Sequence, residues 1–257
     1  MEVVILPAAS ELGRLAADAV VELLARKPDA VLGLATGSSP LVVYGELIRR
    51  HRAGEVSFAR SRGFLLDEYV GLPADHPERY RSVIRRQFEG EVDFAPGAVR
   101  GPDGLAGDLM AECDTYEQAI ADAGGIDLQI LGVGTDGHLA FNEPTSSLAS
   151  RTRIKTLTPR TRSDNARFFD SPEQVPHHVL TQGLGTIHEA RHLLLIATGV
   201  AKADAVQRMV EGPVSAICPA SMLQLHPHAT VLLDEGAASM LRLGDYYRQV
   251  YAGKPAW

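Results

Sequence analysis

Residues 127–138 read DLQILGVGTDGH, a largely apolar run that leads directly into a glycine-rich loop. The apolar residues are consecutive rather than alternating, which is typical of a strand buried on both faces of a parallel sheet. Further short apolar runs of this kind occupy residues 3–6, 31–35, 64–67, 192–198 and 230–234. The pattern therefore predicts a mostly parallel sheet in which residues 127–132 form one strand.

Helical patterns separate the predicted strands. After Ser10, apolar residues recur at three- and four-residue steps, so we expect Ser10 to be the N-cap of a helix that ends before Pro28. Further helices are predicted at 40–51, 79–88, 108–123, 202–211 and 237–251. Strands that alternate with helices predict the α/β class: a single domain over residues 1–257 with an open, Rossmann-like sheet and helices on both faces.

Composition excludes several classes of function. The chain is 45% apolar and 22% charged, as in ordinary globular proteins, and its net charge of −7 disfavours nucleic acid and anionic membranes as partners. Cys113 and Cys218 are far apart and lack the spacing of a disulfide framework or a zinc site. With no membrane-length apolar run and an early acid at Glu2, we expect a cytoplasmic protein.

Ligands of parallel sheets bind beyond the carboxyl ends of the strands, where Thr36, Gly37, Ser38 and Ser39 follow the predicted strand 31–35. Backbone N–H groups at a helix start, together with hydroxyls, suit a phosphate group. The alternative is a plain turn into a helix with Ser39 as its N-cap.

Two basic residues are candidates for the same anion. Lys202 lies in the first turn of a predicted helix, where its charge opposes the helix dipole unless an anion is bound. Arg167, beside Phe168 and Phe169, is either a second anion contact or a surface arginine that packs on an aromatic ring.

The loop after residue 132 carries Asp136 and His138, and Glu143 follows. An imidazole near carboxylates can transfer protons close to neutral pH. The alternatives are a hydrogen-bonded structural loop or a metal site on Asp136 and His138, for which the spacing supplies no third ligand.

Asp67 follows an apolar run, so we expect its carboxyl group to be partly desolvated, with a pKa raised toward that of a general base. The alternative is an N-cap for the next segment. We expect Glu68 to be a solvated or ion-paired neighbour.

Several motifs together resemble one family. Residues 64–72 read FLLDEYVGL, residues 141–144 read FNEP and residues 146–157 read SSLASRTRIKTL, and the likeness extends from about residue 3 to 247. This order resembles the glucosamine-6-phosphate deaminase family. The resemblance implies an aldose–ketose isomerising deamination, in which glucosamine 6-phosphate and water give fructose 6-phosphate and ammonia, within N-acetylglucosamine catabolism and without metal or cofactor.

The resemblance also implies residue roles. Asp67 would move a proton between C2 and C1 of the open-chain sugar, and His138 would open the ring. Asp136 and Glu143 would hold the imidazole. The residues that would hold the phosphate are Thr36, Gly37, Ser38, Ser39, Arg167 and Lys202.

Some bacterial members of this family are hexamers activated by N-acetylglucosamine 6-phosphate, so the resemblance also implies a homo-oligomer. The residues that match the activator site are Ser146, Arg153, Lys155 and Thr156. Glu2 is acidic where such enzymes carry a basic residue, and residues 244–257 diverge. Arg79 and Ser39 replace the usual serine and threonine.

Three other functions remain as alternatives. A 6-phosphogluconolactonase shares the GxGxDGH loop but lacks the motifs around Asp67 and Glu143. A catalytically silent sugar-phosphate sensor needs the phosphate contacts but not the proton-transfer residues. A metal-dependent hydrolase is the third alternative.

Overall fold

The computed structural model describes residues 1–254, except for the side chains of Arg160 and Asp164. The strands of this part are β1 (Glu2–Leu6), β2 (Val31–Leu34), β3 (Arg62–Leu65), β4 (Asp67–Tyr69), β5 (Val99–Arg100), β6 (Leu128–Leu131), β7 (Arg153–Thr156), β8 (His178–Thr181), β9 (Leu193–Ala197) and β10 (Ala229–Asp234). The α-helices are α1 (Ala9–Arg26), α2 (Ser38–Arg52), α3 (Tyr80–Gln87), α4 (Leu109–Asp122), α5 (Pro159–Asn165), α6 (Leu184–His188), α7 (Ala203–Glu211), α8 (Glu235–Ala238) and α9 (Gly244–Ala252).

The main sheet has seven strands in the order β1-β10-β9-β6-β2-β3-β5, and every pairing in it is parallel. Five of the six predicted strands belong to this sheet, as does the first part of the sixth, 64–67, which confirms the mostly parallel α/β class. The two-residue strand β5 at its edge was not predicted, since two residues carry no periodic signal.

Helices cover both faces of the main sheet, as predicted. Successive strand residues point to opposite faces, so Val4 packs with α1 and α2, whereas Val3 and Ile5 pack on the side of α4 and α7. The helix α1 buries Leu12, Ala16 and Val20 on one stripe, which anchors it to the sheet.

A second sheet, which the sequence did not predict, contains β4, β8 and β7 in antiparallel order. The residue pairs place Thr181 of β8 directly opposite both Asp67 of β4 and Arg153 of β7. The predicted strand 64–67 is therefore two strands, because the chain bends at Leu66 and passes from the main sheet into the small one.

Two helix predictions need correction. The N-cap of α1 is Ala8, and Ser10 lies inside the first turn of the helix. The predicted helix 237–251 is two helices, α8 and α9. The break has a physical cause, because the Glu211 carboxylate accepts the backbone N–H groups of Arg242 and Leu243 at 2.9 Å and so draws this segment out of helical bonding. Within residues 1–254, no helix combines the length and apolar character needed to cross a bilayer.

Candidate active site

Asp67 is the first residue after the bend at Leu66, and it is 6% exposed. Burial, together with the neighbouring carboxylate of Glu68, raises the pKa of Asp67 well above its usual range. Asp67 lies in β4, so the alternative of an N-cap is wrong. The desolvated carboxyl group expected from the apolar run is present.

Glu68 points away from Asp67's side of the strand and is fully buried, so the expectation of a solvated residue is wrong. Its carboxylate accepts the backbone N–H groups of Tyr69, Tyr80 and Arg81, each at 2.9 Å, and therefore caps the start of α3. Burial raises the pKa of Glu68, and these hydrogen bonds oppose the rise. Arg79 is an ion-pair partner at 3.8 Å.

His138 and Asp136 form a close pair in a tight turn after β6. Nδ1 of His138 lies 2.7 Å from Oδ1 of Asp136, although the ring N–H is not aligned for a linear hydrogen bond. This contact lowers the pKa of Asp136 below its usual range. Among the described residues no third group joins them to form a metal site, so the geometry gives that alternative no support.

Gly134 lets the imidazole fold back over the turn. A Cβ atom at Gly134 would lie 2.1 Å from Cε1 of His138, and the Gly134 N–H donates to the His138 carbonyl at 2.9 Å. Any side chain at this position would therefore displace the ring.

The 3-10 helix Pro219–Leu225, which the sequence did not predict, packs against the same turn. The Ala220 N–H donates to the Gly137 carbonyl at 2.9 Å, and a Cβ atom at Gly137 would lie 2.6 Å from Sγ of Cys218. Cys218 thus packs against the backbone of the turn, and its buried thiol has a raised pKa.

Glu143 does not join the Asp136–His138 pair. Its described partners are the hydroxyls of Thr158, at 3.4 Å, and of Thr161, both at the start of α5. Glu143 therefore fastens α5 to the loop after His138. A role for Glu143 in holding the imidazole stays a prediction.

One contact brings the Glu143 loop to the Asp67 strand. The Phe141 N–H donates to the hydroxyl of Thr181 at 3.3 Å, and Thr181 pairs directly with Asp67. The loop that begins with the imidazole and the strand that carries the buried carboxyl group are therefore adjacent.

The loop before α2 has the geometry of an anion site. Gly37 is the N-cap of α2, with φ of 104°, a backbone conformation that favours glycine. The alternative of Ser39 as N-cap is therefore wrong. Ser39 instead packs against Gly132. A Cβ atom added to Gly132 would lie 3.7 Å from the Cβ atom of Ser39. The ends of β2 and β6 thus meet at these two residues.

Lys202 ends a 3-10 turn and is the N-cap of α7, which begins one residue later than predicted. The turn is held by Asp234, whose two carboxylate oxygens accept the Gly199 N–H at 2.9 Å. Asp234 also caps α8 through the Ala237 N–H. The only feature of the sequence that pointed to Asp234 was its position at the end of an apolar run.

Arg167 is exposed, and its guanidinium lies 4.7 Å from the centre of the Phe168 ring. This is the packing of a surface arginine on an aromatic ring that we considered as the alternative to phosphate binding. Whether Arg167 also contacts phosphate stays a prediction.

The four residues matched to the activator site lie on and before β7. Arg153 and Lys155 alternate along the strand and so share one face. Burial lowers the pKa of Arg153. The Ser146 hydroxyl is buried with no partner among the described residues, and Thr156 contacts Nδ1 of His178 at 3.2 Å.

Together, the parallel sheet, the buried carboxyl group, the Asp–His pair and the helix N-terminus at Gly37 define an α/β enzyme suited to proton transfer on a phosphorylated substrate. The family model for glucosamine-6-phosphate isomerases/6-phosphogluconolactonase matches residues 7–232, and the chain belongs to this family.

Members of the family resemble this chain to different degrees. A glucosamine-6-phosphate deaminase of Mycolicibacterium smegmatis is 69% identical over 100% of this chain and 99% of its own. The solved structure of a monomeric glucosamine-6-phosphate deaminase is 43% identical with a TM-score of 0.91, covering 93% of this chain and 100% of that one. A 6-phosphogluconolactonase from Trypanosoma cruzi shares the fold, with a TM-score of 0.76 and 21% identity over 94% and 97% of the two chains.

Proposed function

We propose that this protein converts D-glucosamine 6-phosphate and water into D-fructose 6-phosphate and ammonia. The observation that carries the proposal is the buried carboxyl group of Asp67 at the junction of the two sheets, next to the loop that begins with His138. The similarity over full length to deaminases supports this reaction rather than lactone hydrolysis. The chemistry is an isomerisation that releases ammonia, so "hydrolase" describes it only loosely.

Isomerisation requires one base that reaches two adjacent carbons of a fixed substrate. We assign this role to Asp67, which would move a proton between C2 and C1 of the open-chain sugar. Its raised pKa suits both steps, because a group with a pKa nearer neutrality accepts and releases a proton readily. The desolvated position also keeps water away from the carbanion-like transition state.

The phosphate would fix the other end of the sugar. The N-terminus of α2 at Gly37–Ser39 offers backbone N–H groups and hydroxyls, and Lys202 at the start of α7 supplies a positive charge. They follow β2 and β9, the two parallel strands on either side of β6, and ligands of such sheets bind at the carboxyl ends of the strands. Arg167 is assigned to the same phosphate.

Ring opening requires a proton transfer at the ring oxygen before the isomerisation. We assign it to His138, because the contact between its Nδ1 and the Asp136 carboxylate orients the imidazole that would carry the proton. Glu143 is assigned a supporting role that acts through its contacts with Thr158 and Thr161.

The test is release of ammonia from glucosamine 6-phosphate, with formation of fructose 6-phosphate measured in parallel. Asp67→Asn should bind substrate and lose turnover by at least about 100-fold, as expected when a general base is removed. The matched control is Asp127→Asn, since Asp127 is equally buried but pairs with Lys27 at the opposite end of β6. Hydrolysis of 6-phosphogluconolactone without ammonia release, or full turnover by Asp67→Asn, would contradict the proposal.

We also propose that N-acetylglucosamine 6-phosphate binds at Arg153 and Lys155 as an activator. Two cations on one face of β7 would suit a phosphate, and Ser146, in the loop that precedes β7, has a buried hydroxyl with no partner among the described residues. Sigmoidal substrate kinetics that become hyperbolic with the activator, and that no longer respond in Arg153→Gln, would support this assignment. Hyperbolic kinetics unchanged by the activator would contradict it.

The oligomeric state belongs to the same proposal. We propose a homo-oligomer, with a hexamer as the form in which the activator site would lie at subunit boundaries. The monomeric deaminase of known structure is evidence that the family does not require this state. Light scattering on the purified protein decides the point, and a mass equal to one chain would contradict the proposal.

A further inference from the structure

The bend at Leu66 determines where Asp67 lies, and a single residue clamps it. Gln182 follows β8, and its backbone N–H donates to the Leu66 carbonyl at 2.7 Å. Its side-chain Nε2 donates to the carbonyl of the preceding residue, Leu65, at 2.9 Å. Both carbonyl groups immediately before Asp67 are therefore bonded to one glutamine.

The same glutamine joins the bend to the loop of the Asp–His pair. The Gln182 carbonyl accepts Nδ2 of Asn142 at 2.8 Å and the hydroxyl of Thr181 at 3.2 Å. Asn142 is fully buried, also donates to the Leu139 carbonyl at 3.0 Å, and directly precedes Glu143. Gln182 is thus bonded to the bend before Asp67 and, through Asn142, to the loop after His138.

Stability alone does not explain a glutamine at this position. Gln182 is fully buried, and its Oε1 has no well-formed hydrogen bond. An unpaired buried oxygen is destabilising, so an apolar side chain of similar size would stabilise the fold more. The Leu65 carbonyl would remain bonded without Gln182, because the hydroxyl of Tyr116 also donates to it at 2.6 Å.

We infer that Gln182 is a positioning residue for the proposed reaction: its two hydrogen bonds to the bend hold the carboxyl group of Asp67 in line with both C1 and C2. The inference rests on the proposed role of Asp67 as the base. Positional error of about 1 Å in a reacting group can cost roughly 100-fold in rate, so loss of the clamp acts on turnover more than on binding.

The variant is Gln182→Met, which keeps the side-chain length and removes the amide. Its matched control is Gln129→Met, because Gln129 is also fully buried and bonds a backbone carbonyl, that of Ile130, in the middle of β6. We expect Gln182→Met to lower kcat by about 10- to 100-fold with KM within about twofold, while Gln129→Met keeps both constants. The acid limb of the kcat/KM profile should move to lower pH only in Gln182→Met, since water admitted beside Asp67 favours its ionised form.

A second readout does not depend on the reaction. Hydrogen exchange of residues 65–69 should be about tenfold faster in Gln182→Met than in Gln129→Met. If wild-type protein released no ammonia, the proposed function would fail while exchange still tested the clamp. Wild-type kcat in Gln182→Met, or equal losses in both variants, would overturn the inference.

Gln182→Asn provides a further test if Gln182→Met does not fold. It keeps a buried amide but shortens the side chain by one carbon, so the amide nitrogen no longer reaches the Leu65 carbonyl as Nε2 of Gln182 does. We expect a kcat lower by about 10- to 100-fold with an unchanged KM, because the side-chain bond to the bend is lost. An unchanged kcat in Gln182→Asn would then overturn the inference.

Discussion

Asp67 and Arg153 lie in one row of the small sheet, each directly opposite Thr181. The buried carboxyl group of the proposed base is thus two strands away from the basic residue assigned to the activator. The Thr181 hydroxyl also accepts the Phe141 N–H, so Thr181 contacts β4, β7 and the loop after His138. The row offers a short physical connection between the two proposed sites.

Thr181→Val should therefore reduce turnover as well as stability. The substitution leaves the buried Phe141 N–H unpaired, which costs about 1–3 kcal/mol in the free energy of unfolding. We expect kcat to fall several-fold. The control is Ser61→Ala, which removes a buried hydroxyl that donates to the Pro28 carbonyl at 3.2 Å just before β3 and should lower stability without lowering kcat. Steady-state kinetics and thermal unfolding on both variants are the measurements, and equal kcat values would contradict the connection.

Asp67→Asn should stabilise the protein while it abolishes turnover. The folded-state pKa of Asp67 is raised, so its ionised form is disfavoured by folding, and stability is lost as pH rises through that pKa. Removing the charge should increase the free energy of unfolding at pH 7 by about 0.5–2 kcal/mol, the usual range for a stabilising substitution. Denaturant titration at pH 7 and pH 4 checks this, since the gain should shrink at the lower pH. A loss of stability at pH 7 would show that the carboxylate is not strained by burial.

Glu68→Gln should shift the pH profile of the reaction. The charge of Glu68 raises the pKa of Asp67, so its removal should move the acid limb of kcat/KM to lower pH. The glutamine also cannot accept all three N–H groups, that of Tyr69 and the two at the start of α3, which should cost about 1–3 kcal/mol in stability. Asp108→Asn is a control, because Asp108 caps α4 far from Asp67. An acid limb that stays in place in Glu68→Gln would contradict the electrostatic link.

Gly134→Ala should remove turnover by displacing the imidazole. The added Cβ would lie 2.1 Å from the ring of His138, so the ring must leave its place beside Asp136. We expect a loss of at least about 100-fold in kcat, as for misplacement of a reacting group. Gly45→Ala in α2 is the control, because a Cβ there meets no atom within 4 Å and alanine favours a helix by about 1 kcal/mol. Full activity in Gly134→Ala would exclude a catalytic role for the observed ring position.

Acid should destabilise the end of the sheet opposite the site. The rings of His192 and His228 stack at 3.7 Å, and burial, with His228 and His226 nearby, lowers the pKa of His192 to about 4. Because the folded pKa lies below the unfolded value, this stability is present at neutral pH and lost as pH falls from about 6.5 toward 4. In unfolding titrations, His192→Phe should reduce this acid-induced loss in the free energy of unfolding by about 1–3 kcal/mol. The exposed control His177→Asn should not reduce it. The Thr230 hydroxyl contacts Nε2 of His192, and Glu2, Lys254 and the N-terminal amine lie near His228. Equal acid profiles for both variants would contradict the assignment.

The sequence predicted the main sheet because its strands are apolar on both faces and follow helices of clear periodicity. It also predicted the buried carboxyl group of Asp67, since the apolar residues before it indicate its surroundings. It could not predict β7, which is short, charged and partly exposed, or β8, which has only four residues and no clear alternation. For the same reason it placed Asp67 at the end of one strand rather than at the start of the next.

The supporting residues of the site were missed for a different reason. Gln182 bonds Leu65, 117 positions earlier, and no local pattern marks a glutamine for such a contact. Glu68 looks like an ordinary charged neighbour until the fold places the start of α3 above its carboxylate. Roles of this kind depend on distant segments meeting, which residue type and spacing do not encode.

The bend at Leu66 places the two proposed reacting groups on different sheets. Asp67 belongs to the small antiparallel sheet, while the Asp136–His138 turn extends from the large parallel one. The distance between them therefore depends on the contacts that join the two sheets, and a substitution at that junction can change the proposed site while both sheets stay intact.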